Sequence, residues 1–280
     1  MVRFIVDSTF GLTLDEAENL GVRVVNLTLL LDGKEYPEGY CGQWNEFYDA
    51  YAKSKSGAKT SQPSPKMFMN AIDSVYAEDD GSDIVIMTIG NRLSGTVSSA
   101  SVAKMQYPDR NIAVIDSHNA AGSALLLLRS AVKFAQSGAS FSEVTEYIED
   151  LKKRTFILFI PARLTELARG GRVSKLVSTI GNILNIKPVF RFGQNEVSIP
   201  IKTLGLKLAV GKAVGLLPDE CESIAACYIA EDSRLPIITD KLREKYGLTD
   251  IDILPVSPVL GAHIGLGAIG VAIIAKKQGE

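Results

Sequence analysis

The chain has 280 residues, of which 46% are hydrophobic and 22% charged, and its 30 basic and 32 acidic side chains leave a formal net charge of -2. A chain of this length can bury a sizeable core, and two domains are more typical for it than one large α/β domain. The balanced charge provides no electrostatic footprint for nucleic acid or for an anionic membrane, so we expect a small-molecule ligand.

The cysteines and the N-terminus indicate where the protein resides. Cys41, Cys221 and Cys227 are odd in number and lack Cys-x-x-Cys spacing, which argues against a disulfide framework and against a zinc site. The sequence shows no other metal-binding pattern, no P-loop and no nucleophile elbow. The sequence contains neither the apolar segment of a signal peptide nor an apolar run long enough to span a membrane, so we expect a cytoplasmic protein. Because the metal and nucleotide motifs are missing as well, we expect that it needs no metal or cofactor.

The first half of the chain alternates apolar runs with helical patterns, as a parallel α/β sheet does. Two prolines make residues 59–65 irregular, and Ser64 is the expected N-cap of a helix that begins at Pro65. The predicted strands lie at 4–6, 22–31, 84–89 and 112–115, and the other helices at 14–20, 44–53, from 96 to about 106, 120–136 and 141–154. Ser140 is a candidate N-cap of the last of these helices.

Near residue 155 this alternation gives way to a pattern that contains a β-hairpin, in which residues 188–192 and 197–201 flank Gly193-Gln194-Asn195. We therefore predict two domains, a parallel-sheet α/β domain over 1–155 and an α+β domain over 156–280, with the ligand at their interface. The second domain is predicted to contain strands at 156–160, 223–229, 251–256 and 271–275, and helices at 174 to about 183, 206–217 and 234–246.

A glycine-rich stretch, Leu260–Gly270, carries His263, and we expect it to be a loop. Its residues 265–270 fit Gly-x-Gly-x-x-Gly, the fingerprint of dinucleotide-binding units. That fingerprint requires an acidic ribose ligand about 20 residues downstream, whereas only ten residues follow Gly270 in this sequence. We therefore interpret the match as accidental.

Three polar turns could bind an anion: Thr60-Ser61-Gln62, Ser94-Gly95-Thr96 and the segment around His263. Backbone N–H groups at a helix start, together with small hydroxyls and an imidazole, suit a carboxylate or a phosphate. Serine and threonine before a helix are, however, more often simple caps, and a lone histidine is as often structural as ligand-binding. Each turn taken alone leaves both interpretations open.

Arg169-Gly170-Gly171-Arg172 is a more specific signal, because two arginines on a glycine-containing turn are well suited to reach a phosphate. The alternative is a helix C-cap, with Gly170 after the helix and Arg169 complementing its dipole.

Together these motifs resemble the DegV family, fatty-acid-binding proteins that include the binding subunits of bacterial fatty acid kinase. The resemblance covers nearly the whole chain. It rests, in order, on Val6-Asp7-Ser8-Thr9, the segment 59–65, Ser94-Gly95-Thr96 with Ser99-Ala100, Arg169–Ser174, Lys187-Pro188 and Gly261–Gly267.

The resemblance implies a two-domain α/β protein that encloses one long acyl chain and has no catalytic residues of its own. Arg169 and Arg172 match a motif associated with the phosphate and with kinase docking, and Lys202 stands where the family often has another arginine. The implied carboxylate-binding residues are Thr60, Ser61, Ser94, Gly95, Thr96, His263 and Gly265.

The resemblance also implies partners. A separate ATP-dependent kinase would phosphorylate the bound carboxylate, an acyltransferase would use the acyl phosphate for phospholipid synthesis, and transient membrane contact fits this role. One departure is Leu266, where the family usually has proline. Two alternatives remain at this point: a binder of phosphorylated small molecules, and a serine hydrolase that uses Ser94 or Ser61 with His263 as base.

Overall fold

The structure is a computed structural model and describes residues 1–178, 186–230 and 233–277. The strands, in chain order, are β1 Val2–Asp7, β2 Val22–Val25, β3 Thr28–Leu31, β4 Lys34–Pro37, β5 Lys59–Ser61, β6 Asp83–Thr88, β7 Ile112–Asp116, β8 Thr155–Ile160, β9 Ile186–Gly193, β10 Glu196–Leu204, β11 Cys221–Tyr228, β12 Asp252–Pro255 and β13 Ile269–Ala275. The helices are α1 Leu14–Leu20, α2 Asn45–Lys53, α3 Pro65–Glu78, α4 Thr96–Lys104, α5 Ala121–Gln136, α6 Phe141–Leu151, α7 Leu164–Arg169, α8 Ser174–Ser178, α9 Leu206–Gly215, α10 Leu235–Tyr246 and α11 Pro258–Ile264.

The first sheet is parallel and has the order β2-β1-β6-β7. Successive side chains of a strand point to opposite faces, so continuous apolar strands can be buried on both. Ile5 and Ile86 pack against α3 and α4, whereas Val6 and Met87 belong to the core formed with α5 and α6. The apolar runs of the sequence therefore correspond to a sheet covered by helices on both faces.

The second sheet contains the strands that follow residue 155, in the order β10-β9-β8-β13-β11-β12. Its pairs are antiparallel except for β11 with β12. Helices α9 and α10 pack on one face, while α5 from the first half of the chain packs on β8, β11 and β13. The predicted fold class is confirmed: a parallel-sheet α/β region precedes a mostly antiparallel one.

The third sheet is small and antiparallel, with the order β4-β3-β5. Its presence corrects the prediction of one strand over 22–31. That prediction is wrong because the strand is interrupted at Leu27, whose backbone groups bond outside both sheets. The Leu27 N–H donates to Ser8 Oγ (2.9 Å), and its carbonyl accepts from the Glu38 N–H (3.0 Å). Residues 22–25 and 28–31 consequently belong to different sheets.

The irregular segment predicted at 59–65 is wrong in its first three residues. Lys59–Ser61 pair with β3, with Thr60 opposite Leu29. The restriction that proline places on the preceding residue therefore begins to act only at Gln62. Ser64 occupies the expected N-cap position before Pro65, although its side chain makes no capping hydrogen bond.

The loop expected around His263 is also wrong, because Pro258–Ile264 form helix α11. Proline suits the first turn of a helix, and Val259 and Leu260 are buried. The helix ends at Gly265, whose φ of 95° lies in the region that favours glycine. These glycines follow a helix and lead into β13, the reverse of the strand-to-helix order of a dinucleotide fingerprint.

Two other local predictions are confirmed. The Gly193-Gln194-Asn195 turn joins β9 and β10, with positive φ at Gln194 and Asn195. Ser140 caps α6 in a capping box with Glu143. The helix predicted from 174 to about 183 is seen over Ser174–Ser178, and residues 179–183 lie outside the described residues.

Candidate functional site

A cavity of about 520 Å³ is lined by residues from both halves of the chain. Most of its wall is apolar and includes Ile157, Phe192 and Ile229. The predicted turns contribute a group of polar residues to the wall, namely Thr60, Ser61, Gln62, Ser94, Gly95, Arg172 and His263. A mostly apolar cavity with a few convergent polar groups is typical of a binding site for an amphipathic small molecule.

The first two polar turns are held against each other. Pairing between β5 and β3 fixes the backbone of Thr60, and Gln62 follows at the end of the strand. Gln62 Nε2 donates to Ser99 Oγ on α4 (2.9 Å), and a Cβ at Gly95 would overlap the Gln62 side chain. A side chain at residue 95 would therefore displace the flexible end of the Gln62 side chain and not the backbone of either turn.

His263 joins these turns from the last turn of α11. Its Nε2 lies 2.7 Å from Thr60 Oγ1, and its Nδ1 lies 3.1 Å from the carbonyl oxygen of Gly170. A carbonyl oxygen can only accept, so Nδ1 carries the ring hydrogen and the Thr60 hydroxyl donates to Nε2. Burial lowers the pKa of His263 to about 4, and the charge of Arg172 acts in the same direction. The imidazole is consequently neutral near pH 7.

Gly170 agrees with the helix-cap interpretation of the Arg169–Arg172 motif and also lies in close contact with α11. Its N–H donates to the carbonyl of Glu166 (3.1 Å), so it does follow α7 as a C-cap, but with a right-handed φ of -61°. A Cβ at Gly170 would overlap the backbone of His263. The absence of a side chain is thus needed for contact with α11 and not for the cap itself.

Arg172 bridges two of the turns. Its Nη1 donates to the Gly170 carbonyl (3.2 Å) and its Nε to the Leu93 carbonyl (3.4 Å). Its side chain is exposed and lines the cavity. Arg169, at the exposed end of α7, and Lys202, on β10 opposite Pro188, do not line the cavity.

Two other predicted residues support the site from behind its wall. Thr96 is fully buried, and its Oγ1 lies 2.9 Å from Ser94 Oγ. Gly265 is buried beside Glu166, which would overlap a Cβ at that position. The structure therefore brings Thr60, Ser61, Ser94, Gly95 and His263 to the cavity, and neither Thr96 nor Gly265 lines it.

Residues 1–276 match the sequence family described as the uncharacterised DegV proteins. The chain belongs to the DegV family. It is 30% identical to a DegV domain-containing protein of Clostridium perfringens, over 97% of this chain and 98% of the relative. A DegV protein from Thermus thermophilus, described by its fatty acid binding, superposes with a TM-score of 0.85 at 27% identity, over 98% and 99% of the two chains. The fatty acid kinase B3 protein of Streptococcus pneumoniae, loaded with linoleic acid, shares the fold with a TM-score of 0.83 at 24% identity, over 99% and 100%.

The two serines of the hydrolase alternative, Ser94 and Ser61, make no hydrogen bond to His263 in the described part of the chain. A nucleophile needs a base within hydrogen-bond reach, and the base needs a group that orients it. His263 contacts Thr60, whereas the hydroxyl of Ser94 pairs with Thr96. The carbonyl of Gly170 does orient His263, so the requirement that is not met is the contact between the base and a serine. Across residues 1–178, 186–230 and 233–277, no cluster of His, Cys, Asp and Glu could hold a metal, and no helix is long and apolar enough to cross a membrane.

Two residues that matter for the site were missed by sequence reasoning. The carboxylate of Glu38 accepts from the N–H of Val259 in the first turn of α11 (2.7 Å) and from Ser8 Oγ (2.6 Å). Asn195 accepts from the N–H of Arg92 (3.1 Å), next to the Ser94 turn. The turn signal predicted the conformation of Asn195 but not this contact, and no local pattern distinguishes Glu38 from a surface glutamate.

Proposed function

We propose that this DegV protein binds a long-chain fatty acid, with the acyl chain in the cavity and the carboxylate near Thr60, Ser94 and His263. The observation that carries the proposal is a mostly apolar cavity of about 520 Å³ whose wall includes a few convergent polar groups. The fatty acid binding described for the Thermus thermophilus protein supports it. The regions 1–155 and 156–280 would then act as two domains that enclose the ligand.

Burial of the acyl chain accounts for tight retention. Each CH₂ group transferred from water contributes about 0.8 kcal/mol, so a sixteen-carbon chain gains roughly 12 kcal/mol before entropic losses are subtracted. Affinity differences of this kind appear mostly in the dissociation rate. We therefore expect fatty acid to remain bound through purification.

Mass spectrometry of the extracted protein tests the proposal. We expect about one fatty acid per chain, either as purified or after delipidation and loading with palmitate. Thr60→Val should lower retention, because it removes a cavity hydroxyl at nearly constant shape. Thr28→Val is a matched control, because Thr28 lies on the neighbouring strand and does not line the cavity. Absence of stoichiometric fatty acid after loading, or its displacement by soluble phosphate esters, would contradict the proposal.

We further propose that the protein presents its ligand to a separate ATP-dependent kinase in the cytoplasm and has no catalytic residues of its own. The acyl phosphate would then pass to an acyltransferase. Arg172 supports this role, because its exposed guanidinium lies beside the polar turns where a phosphate would form. Arginine suits phosphate, since its planar fork of donors matches two phosphate oxygens.

Arg172→Ala separates binding from phosphorylation. We expect this variant to retain fatty acid and to lose kinase-dependent acyl phosphate formation, whereas His263→Ala should weaken both. Arg243→Ala, on the exposed surface of α10, is the control for loss of a positive charge. Loss of the bound lipid from Arg172→Ala would show that the two roles are assigned incorrectly.

A further inference from the structure

The hydrogen bonds of His263 determine what Thr60 can offer to a ligand. The ring hydrogen lies at Nδ1, because the Gly170 carbonyl that faces it at 3.1 Å can only accept. Nε2 is therefore an acceptor, and it receives the single hydroxyl proton of Thr60 across 2.7 Å. In this arrangement Thr60 has only lone pairs left to direct at the cavity.

A carboxylate cannot bind favourably to those lone pairs, because an ionised carboxylate is itself only an acceptor. Rotation of the Thr60 hydroxyl towards the ligand does not solve the problem. It would leave the lone pair of Nε2 facing the lone pairs of Thr60 Oγ1 at 2.7 Å. The neutral Nε2–H tautomer fails as well, since it would place an unprotonated Nδ1 against the Gly170 carbonyl.

One added proton satisfies every group. With both ring nitrogens protonated, Nδ1–H donates to the Gly170 carbonyl, Nε2–H donates to Thr60 Oγ1, and the Thr60 hydroxyl donates to the carboxylate. No covalent bond to carbon or oxygen forms or breaks, and the proton comes from solvent. We infer that the site binds its fatty acid together with one proton, which His263 takes up at Nε2. This inference rests on the proposed function.

The surroundings of His263 make the uptake depend on the ligand. Partial burial and the cation of Arg172 both disfavour the imidazolium, which lowers the pKa of the ring to about 4. A carboxylate one hydroxyl away has the opposite effect, since an adjacent opposite charge favours the charged form. Titratable or charged groups also lie on the elements packed around α11, namely Glu38, Tyr48, Tyr51, Lys59, Glu166 and Arg169, and Arg92 is a second cation that lines the cavity.

Calorimetry measures the proton directly. Delipidated protein is titrated at pH 7 with laurate below its micelle concentration, in phosphate and in Tris buffer, whose ionisation enthalpies differ. The difference in observed heat gives the number of protons taken up, and we expect about one per laurate bound. Because one proton is linked to binding, the affinity should fall as pH rises, by up to about tenfold per unit of pH.

His263→Gln is the decisive variant. An amide N–H at this position can donate to Thr60 permanently, so the hydroxyl is free for the carboxylate without an added proton. We expect this variant to bind laurate with proton uptake close to zero and a nearly flat pH profile. Glu38→Gln is the matched control, because the pKa of Glu38 is raised to about 7 by burial and its carboxyl titrates in the same range. Its proton uptake should stay at about one.

Nuclear magnetic resonance locates the proton. The chain has only two histidines, His118 and His263, and His118→Asn leaves His263 as the single source of imidazole ¹⁵N signals. Asparagine is suitable there because residue 118 has a positive φ. We expect the unequal ring nitrogens of the neutral tautomer to become a nearly equal imidazolium pair when laurate binds.

The results that would contradict the inference differ from the result that would contradict the proposed function. Binding of laurate without proton uptake would overturn the inference and leave the proposed function standing. Proton uptake with an unchanged His263 spectrum would place the proton on another group, such as the ligand carboxyl or Glu38, and overturn its assignment to Nε2. The same uptake in His263→Gln would overturn it too. Absence of laurate binding in the unmodified protein would contradict the proposed function instead.

Discussion

Glu38→Gln is expected to change the pH dependence of stability. The Glu38 carboxylate is buried, with 2% of the residue exposed, and accepts hydrogen bonds from Val259 N–H and Ser8 Oγ. Burial raises its pKa from 4.5 to about 7, although both hydrogen bonds act in the opposite direction. Desolvation thus outweighs the two donors, and folding disfavours the charged form.

The sign of the effect follows from proton linkage. A carboxyl whose pKa is raised in the folded state binds more protons there than in the unfolded state between the two pKa values. Stability from this group is therefore fully present below pH 4.5 and is lost as pH rises through about 7. A shift of about 2.5 units at 1.36 kcal/mol each corresponds to about 3 kcal/mol. Glutamine stays neutral, so the variant lacks this loss.

Urea unfolding at pH 4.5 and pH 8 tests the prediction in delipidated protein. We expect the free energy of unfolding of Glu38→Gln, relative to the unmodified protein, to rise by about 3 kcal/mol between the two pH values. Contributions from Asp7 and His263 are common to both proteins and largely cancel in the difference. Glu35→Gln, which makes the same chemical change on an exposed residue of β4, is the control. A pH-independent difference for Glu38→Gln would refute the reasoning.

Two other substitutions test how the turns are held. Gly170→Ala should displace α11, because the added Cβ would overlap the backbone of His263; we expect loss of bound fatty acid by mass spectrometry, whereas retention would show that the helix can move without consequence. Asn195→Asp should destabilise the fold by roughly 1–3 kcal/mol at pH 7, because a carboxylate would replace the amide that donates to Asp116 Oδ2 at 2.9 Å. Calorimetric melting should show a larger loss for Asn195→Asp than for Asn195→Gly, which keeps the positive φ and adds no negative charge beside Asp116.

The parts of the fold that were predicted correctly are those encoded by local patterns. Continuous apolar strands such as Asp83–Thr88 are distinctive because both faces are buried. The Gly193-Gln194-Asn195 turn predicts its hairpin because positive φ is required there. The Ser140–Glu143 capping box marks the start of a helix in the same local way.

The parts that were missed depend on contacts between distant residues. Strand β5 has three residues and is ordered by pairing with β3. Helix α11 has seven residues, among them one proline, one glycine and two β-branched residues, a composition with poor helix propensity. One of its first N–H groups is satisfied by Glu38, 221 residues earlier in the sequence. Local propensity carries no information about such a partner, so a loop was the natural prediction.

The same distinction applies to the site. Motifs identified Thr60 and His263 as carboxylate-binding candidates, but the hydrogen bond between them joins residues 203 positions apart. The motif around Arg172 suggested a group that reaches a phosphate, yet its present partners are the carbonyls of Gly170 and Leu93. Residue types could therefore be predicted, whereas the donors and acceptors that fix the proton positions could not.

The shared carbonyl of Gly170 links the two roles assigned to the site. It accepts from both His263 Nδ1 and Arg172 Nη1, and the charge of Arg172 lowers the pKa of His263. Removal of Arg172 should therefore make the imidazolium easier to form when the carboxylate binds. It follows that Arg172→Ala should hold fatty acid at least as well as the unmodified protein, most clearly above pH 7, while losing the cation needed beside the phosphate. Arg172 would in this way lower the affinity of the protein for the fatty acid while helping to present that fatty acid to the kinase.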